Sequence, residues 1–573
     1  MIVGIDLGTT NSLIAVWENG AARLIPNSLG EVLTPSCVSI DEDGTILVGR
    51  AARERLQTHP DRTAAVFKRY MGSDKTLRLG QREFRPEELS ALILRALKED
   101  AEAALGQPVT EAIITVPAYF SDSQRKATRA AGQLAGLRVD RLLNEPTAAA
   151  LAYGIHQRDA DTRFLVFDLG GGTFDVSVLD LFEGVMEVRA SAGDNMLGGE
   201  DFVLALVDHF IGHHQLPATL KSDAYFMQRL LASCERAKRA LSESASATIE
   251  IVHNDTLYQL ALDDATLERL CTVLLRRLRD PIERALRDAN LKIAELDNIV
   301  LAGGATRMPV VRKLVARMFG RFPSCDINPD EVVALGAAVQ AGLKMRDAAL
   351  DEVVMTDVSP YSLGIEVSMQ LGEHQFAGGH FDPIIERNTA VPVSRVRQYH
   401  PVSDHQKWLD LRVFQGEARM TRDNILLGKL KVQLPAASIA DSGVDIRFTY
   451  DVNGLLQVEA TVVKTAQVHT LVIEGNPGLL SEEDIARRFI ALSELKIHPR
   501  DRLEHRTLLA RGERLYQLMR GQGREWFGAR IVAFEQALET QDKRVVDAAR
   551  KQFEATLNDV EHHSFVAPLG EPD

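Results

Sequence analysis

Cysteine is scarce in this chain: Cys37, Cys234, Cys271 and Cys325 are the only four in 573 residues. They are too far apart for a C-x-x-C metal or redox pair and too few for a disulfide framework, so they are expected to be reduced, mostly buried thiols. No 18-residue apolar run occurs, which argues against a membrane-spanning helix, and a strand-like run already begins at Ile2, where a signal peptide would need its basic start. The expectation is a cytoplasmic protein with no membrane partner. An excess of positive charge is missing as well. Lys and Arg total 66 against 80 Asp and Glu, for a net charge of −14, which disfavours nucleic acid as a partner because phosphate backbones attract surplus cationic side chains. A G-x-x-x-x-G-K-[ST] loop is also absent, so any nucleotide chemistry has to use another scaffold.

What is present is ordinary in composition, 45% hydrophobic and 25% charged, and long enough for roughly three or four domains. Two Gly-rich turns share one grammar: Val3-Gly4-Ile5-Asp6-Leu7-Gly8-Thr9-Thr10 and Phe167-Asp168-Leu169-Gly170-Gly171-Gly172-Thr173. Each follows an apolar, β-branched run that delivers an Asp at its carboxyl end. Glycines then let backbone N–H groups close on an anion, and Thr hydroxyls add donors. Two facing copies imply a nucleotide held in a cleft.

From residue 1 to about 345, strand-like runs (112–116, 164–167, 299–302) alternate with helical patterns, which points to α/β layers. A third strand-to-glycine junction, Ala302-Gly303-Gly304-Ala305-Thr306-Arg307, leads into a helix over about 308–319 and suits close approach of backbone to a ligand. After Met345 a short apolar and acidic segment reads as a linker. From 359 to about 475 the period changes to two, as in Leu363, Ile365, Val367 and in Ile446, Phe448, Tyr450, which fits a β-sandwich. Ser481-Glu482-Glu483-Asp484 is a helix-capping signal, and apolar residues at helical spacing from Ile485 to Phe553 predict a small helical bundle with a loose tail after about Glu561.

Four motifs in order carry a resemblance: Ile5-Asp6-Leu7-Gly8-Thr9-Thr10-Asn11-Ser12, the run 167–175, Asn144-Glu145-Pro146-Thr147-Ala148-Ala149-Ala150-Leu151, and the run 302–309. Over nearly its whole length the chain resembles the DnaK-type 70-kilodalton heat-shock chaperones. The runs 359–367 and 383–389 and the short C-terminal helical segment are most like the bacterial HscC branch. The resemblance implies a multidomain protein: an actin-like (ribonuclease H-like) duplicated α/β ATPase domain at 1–350, a linker at 351–358, an antiparallel β-sandwich that binds peptides at 359–477, a short α-helical lid at 478–561 and a tail at 562–573. It also implies ATP/ADP, Mg2+ and K+ as ligands, extended segments of unfolded clients and a J-domain cochaperone as partners, and a monomer. The segment 242–267 is shorter than the family's projecting hairpin, which counts against reliance on a nucleotide-exchange factor. The paired turns alone would also suit an actin-like filament or a sugar kinase, but neither explains the chain after residue 358.

ATP hydrolysis needs immobilised phosphates, a neutralising metal and a water held in line. Carried over by resemblance, Asp6 and Asp168 hold Mg2+ largely through its waters, Lys68 sits beside the γ-phosphate, Glu145 organises the water and metal shell, and Thr173 places a hydroxyl at the γ-phosphate, with Asp175 nearby. Gly8, Thr9, Thr10, Asn11, Gly170, Gly171, Gly172, Gly303 and Gly304 would grip phosphate and ribose. Glu235, Lys238, Arg239 and Ser242, spaced along one helical face, together with Arg307 and Asp330, would hold the adenosine, the two arginines being able to stack on the base. Pro117 and Arg125 match a relay from the γ-phosphate to the linker residues Val353, Val354, Met355 and Asp357, where Thr356 interrupts a run that is more uniformly apolar in the family. Ile365, Tyr399, Val402, Leu409, Leu411 and Ile446 align with the peptide cleft, although inward apolar alternation is what any sandwich core shows.

Overall fold

The structure, a computed structural model, describes residues 1–154, 161–182, 185–324, 327–347, 350, 354–372, 375–452, 454–473 and 498–564. Cys325, Val353, the 481–484 capping signal with the first helix expected after it, and the tail from 565 lie outside the described residues.

The strand Glu111–Val116 is buried at every position, as a strand covered on both faces must be, and it reads accordingly as a near-continuous apolar run. It lies in a mixed sheet between Leu142–Asn144 and Ile2–Asp6, parallel to both, and the sheet continues antiparallel through Asn11–Glu18 to Ala21–Leu24. A second mixed sheet repeats the arrangement. Thr162–Leu169 runs parallel to Asn298–Ala302 and antiparallel to Phe174–Phe182, which is followed by Val185–Asp194. In both sheets the Gly-rich turn is the hairpin after the strand that carries the Asp, so the sequence repeat is also a topological one. The N-terminal domain thus has two α/β lobes.

The lobes meet on two helices made of small residues. Glu145–Gly154 is buried on all sides, which its Ala148-Ala149-Ala150 run permits. It packs against Val332–Met345, whose Gly336 approaches so closely that a Cβ would overlap the Ala148 carbonyl. Strand ends and turns from both lobes therefore converge above this helix pair.

The chain crosses to the C-terminal part as a strand. Val354–Val358 adds to the edge of the second lobe's sheet, with Val354, Met355 and Thr356 paired in parallel to Val185, Met186 and Glu187. On its other side Asp357 and Val358 pair with Val391 and Ala390, so the linker is stitched into both parts. The C-terminal part is β-rich. Sheets of order Gln375–Ile385, Leu363–Gly372, Trp408–Gln415, Ile425–Gln433 and of order Val393–Tyr399, Val444–Tyr450, Leu456–Val462, Gln467–Ile473 share one apolar core around Leu363, Val413, Phe448 and Val458. The helices Leu503–Leu518, Gly521–Glu539 and Lys543–Ser564 follow. Phe527, Phe534, Leu538 and Leu557 form their common core, and the last helix runs three residues past the end expected at Glu561. Among the described residues no helix is long and apolar enough to cross a membrane.

Candidate functional site: the cleft between the lobes

A cleft of about 330 Å3 opens where the two Gly-rich turns face each other. Asp6, Gly8, Thr9, Thr10, Asn11, Lys68 and Glu145 line it from the first lobe. Asp168, Gly170, Gly171, Thr173, Glu235, Lys238, Arg239, Ser242, Gly303, Gly304 and Arg307 line it from the second, with Asp330 beside them. Of the residues expected to act on nucleotide, Gly172 alone is not among the lining: it is turned toward Thr9 and Arg69. Asp175 also stands behind the wall, its Oδ1 accepting from the Tyr119 N–H at 3.0 Å.

The turns approach each other as closely as backbone allows. A Cβ on Gly171 would overlap the Thr10 hydroxyl, and Gly303, at φ 79, lies against the Leu169 carbonyl with no space for a side chain. Glycine is required at both for steric reasons, and at Gly303 for its left-handed backbone as well.

The floor of the cleft is electrostatically unusual. Lys68 Nζ donates to Glu145 Oε1 at 2.7 Å, with both side chains nearly buried. Asp6 Oδ1 accepts from the Thr115 hydroxyl at 2.9 Å, and burial, then the Glu145 charge, pushes its carboxyl up to about 7. Burial, followed by Glu145, Asp175 and Asp6, holds Asp168 well above the usual carboxylate range. Asp175 is pushed up to about 7, again mainly by burial and then Glu145. Carboxylates crowded in this way favour protons or a cation.

These residues fit a hydrated divalent ion. Asp168 Oδ2 is buried without a hydrogen-bond partner, an oxygen aimed at a ligand it does not find within the chain. Asp6 and Asp168 line the cleft together, and Mg2+ takes only one or two carboxylates besides its waters and phosphate oxygens.

Another part of the cleft lining holds three cations, each paired with a carboxylate. Lys238 donates to the Gly199 carbonyl at 3.1 Å and pairs with Glu235 at 2.7 Å. Arg239 Nε donates to Glu235 at 2.5 Å, while Arg307 is braced by Asp330 at 2.9 Å and Asn328 at 2.6 Å. The helix Ala224–Ala240 ends before Ser242, so Ser242 reaches the cleft from the turn after the helix, not from its face.

Sequence reasoning passed over Gly199 and Glu200, which also line the cleft. Gly199 N–H donates to Gly170 O and Glu200 N–H to Gly171 O, each at 2.9 Å, so the start of the helix Gly199–His213 is sewn to the second turn. The signal available was Gly198-Gly199-Glu200-Asp201: flexible backbone followed by acids in a helix's first turn.

Toward the linker, Arg125 Nη2 donates to Asn144 Oδ1 at 2.7 Å and to the Ala118 carbonyl at 3.0 Å. Asn144 Nδ2 donates to both Asp357 oxygens, at 3.1 and 2.9 Å. Pro117 is buried at the end of the Glu111–Val116 strand, its carbonyl accepting from Phe120 N–H at 3.1 Å. Met355 packs at the edge of the core between the lobes, whereas Thr356 Oγ1 is buried with no partner.

The residues aligned with a peptide cleft divide. Ile365, Leu411 and Ile446 are shut in the β core, Tyr399 and Leu409 pack against it, and Val402 is exposed. The Tyr399 hydroxyl donates to Asp382 at 2.6 Å. The first three are placed as core. Alternation along a strand could not separate the two roles.

A family model described as "Hsp70 protein" matches residues 2–79 and 75–567.

Proposed function

Because the chain belongs to the Hsp70 family, whose members are ATPases and ATP-dependent chaperones, we propose that it hydrolyses ATP in the cleft between the lobes and uses nucleotide state, carried by the linker strand, to switch capture and release of extended apolar client segments. The observation that carries this is the adjacency of Asn144 and Glu145: one residue holds Lys68 in the cleft while its neighbour holds the linker's Asp357. A shift of the Glu145 backbone on hydrolysis reaches the linker across a single peptide unit.

In this reading the backbone N–H groups of the two turns bind the phosphates, Thr10 and Thr173 orient the terminal one, and Glu145 holds the attacking water and accepts its proton while paired to Lys68. Mg2+, when bound near Asp6 and Asp168, neutralises phosphate charge. Arg239 and Arg307, fixed by carboxylates, present flat guanidinium faces to the base. The actin-like domain, the sandwich with its lid, and the boundaries 350, 358, 477 and 561 belong to the same proposal, as does a place near the HscC branch and a K+ ion beside the phosphates. The segment 242–267, whose hairpin pairs Ser246–His253 with Thr256–Asp263, is shorter than the family's projecting hairpin, and the reading of weak dependence on an exchange factor rests on that resemblance.

The test is hydrolysis by the full chain. With Mg2+ and KCl, ADP should form in proportion to ATP consumed, and the rate should rise on adding an extended apolar peptide and fall when KCl is replaced by NaCl. No ADP above the Lys68→Ala background would reject the ATPase reading.

A further inference from the structure

The segment that carries Lys68 is held in a backbone form its own sequence disfavours. Val66 sits at φ 59, ψ 17, the left-handed region, which is unusual and strained for a β-branched residue. Such a conformation persists only where the surroundings over-determine it. Two consecutive side chains after Val66 supply the restraint in different directions. Lys68 is tied to Glu145 within the first lobe, and Arg69 reaches across to the second.

Arg69 Nε donates to the Gly172 carbonyl at 3.0 Å, and its Nη2 pairs with the Asp201 carboxylate. The side chains of that pair are 8% and 17% exposed. Asp201 Oδ2 also accepts the Gly198 N–H at 2.8 Å, so one carboxylate joins the helix start to the arginine. The neighbouring Gly199 and Glu200 amides hold the carbonyls of Gly170 and Gly171. The whole second turn is thereby fixed to the helix Gly199–His213, and Arg69 fixes that unit to the first lobe. Gly172 has to be glycine here, because a Cβ would stand 2.8 Å from Thr9 Cγ2 and 2.9 Å from Arg69 Nε. The planar fork of Arg69 serves the Gly172 carbonyl and the Asp201 carboxylate with donors in fixed directions, a geometry that the point charge of an ammonium does not reproduce.

We propose that Arg69 is a positioning residue for hydrolysis: it holds the second phosphate turn, and with it Thr173, at a fixed distance from Lys68 when the lobes are closed. Its guanidinium is not part of the cleft lining, so it acts through Gly172 and Asp201 and not on the nucleotide. The inference rests on the ATPase reading of the cleft.

The test compares Arg69→Met, Arg69→Lys and Asp201→Asn with the parent chain, using single-turnover hydrolysis of ATP and, separately, the dissociation constant of a fluorescent ATP analogue. Arg69→Met should slow hydrolysis by about 10- to 100-fold, the scale of a 1 Å misplacement, with nucleotide affinity changed by less than about threefold. Arg69→Lys should recover only part of the loss, and Asp201→Asn combined with Arg69→Met should cost little more than Arg69→Met alone. Hydrolysis within about twofold of the parent, or an affinity loss as large as the rate loss, would overturn the proposal. If the parent chain itself hydrolysed nothing, the ATPase reading would fall, and amide exchange would still judge Arg69. In ATP-bound protein, faster exchange at 170–173 and 198–201 in Arg69→Met than in the parent supports the positioning role, and equal exchange overturns it.

Discussion

Lys68→Ala should bind ATP and fail to hydrolyse it, with the single-turnover rate lower by about a thousandfold, the upper end of what loss of one preorganised electrostatic group costs. The ammonium is 3% exposed, lies 2.7 Å from Glu145 and is the cation shared by Asp6, Glu145, Asp168 and Asp175. Without it, Glu145 loses its buried partner and the carboxylates repel one another undiluted. Breaking a buried pair from one side typically costs about 3–5 kcal/mol of stability, so affinity and melting temperature have to be measured alongside the rate. The pH dependence separates the two effects. Asp6 and Asp175 have folded-state values raised to about 7 from 3.8, so the folded state holds more protons than the unfolded state between those values, and stability falls as pH rises through that window. In metal-free protein, Lys68→Ala should therefore melt higher at pH 6 than at pH 8 by a wider margin than the parent does, and with Mg2+ added its hydrolysis should stay absent at both. Hydrolysis restored at pH 6 would show that the lysine served stability alone.

The second large effect is expected at the linker. Asn144→Ala removes both donors to Asp357 and leaves that carboxylate, already held above its usual range by burial, with the Val358 N–H at 2.8 Å as its nearest remaining donor. Asp357→Ala removes the acceptor instead and leaves the Asn144 Nδ2 donor without it, while Arg125 keeps the Asn144, Ala118 and Phe120 oxygens. Either change should reduce the ATP-induced drop in peptide affinity from the 5- to 150-fold typical of coupled sites toward about onefold, with single-turnover hydrolysis retained. The double variant should be no worse than the poorer single one, because the two act as one contact. Thr356, whose hydroxyl is buried unpaired beside this contact, weakens the strand's hold on the edge. Thr356→Val should tighten docking and strengthen the peptide response to ATP. Full coupling in Asn144→Ala would place the signal on another route, such as Arg387 to Asp288 at 2.7 Å or the Tyr361 hydroxyl to the Tyr119 carbonyl at 2.7 Å.

The cleft between the lobes was legible because the turns that line it are written in backbone demands. A strand ending in Asp and followed by glycines leaves few structures possible, and two copies of that text had to face each other to make one site. Arg69 and Asp201 were not legible, since 132 positions separate them and each is an ordinary charged residue until the lobes meet. Gly172 was assigned to phosphate with its neighbours, yet only three-dimensional packing could show that it serves the joint between the lobes. The residues aligned with a peptide cleft could not be told from core for a different reason: inward positions on a strand are apolar in both roles, and Ile365, Leu411 and Ile446 lie in the β core. The linker was recognised by composition, but its pairing with both Val185–Glu187 and Ala390–Val391 depends on two sheet edges that no local pattern announces.

Nucleotide in the cleft is expected to govern peptide held beyond the linker strand. Fluorescence anisotropy of a labelled, extended apolar peptide on the full chain tests it most directly. In ADP and Mg2+ the anisotropy should be high, and it should fall promptly on adding ATP in the parent and in Lys68→Ala alike, since binding and not hydrolysis drives release. An anisotropy that stays unchanged when ATP is added to the peptide-bound parent chain would contradict the claim.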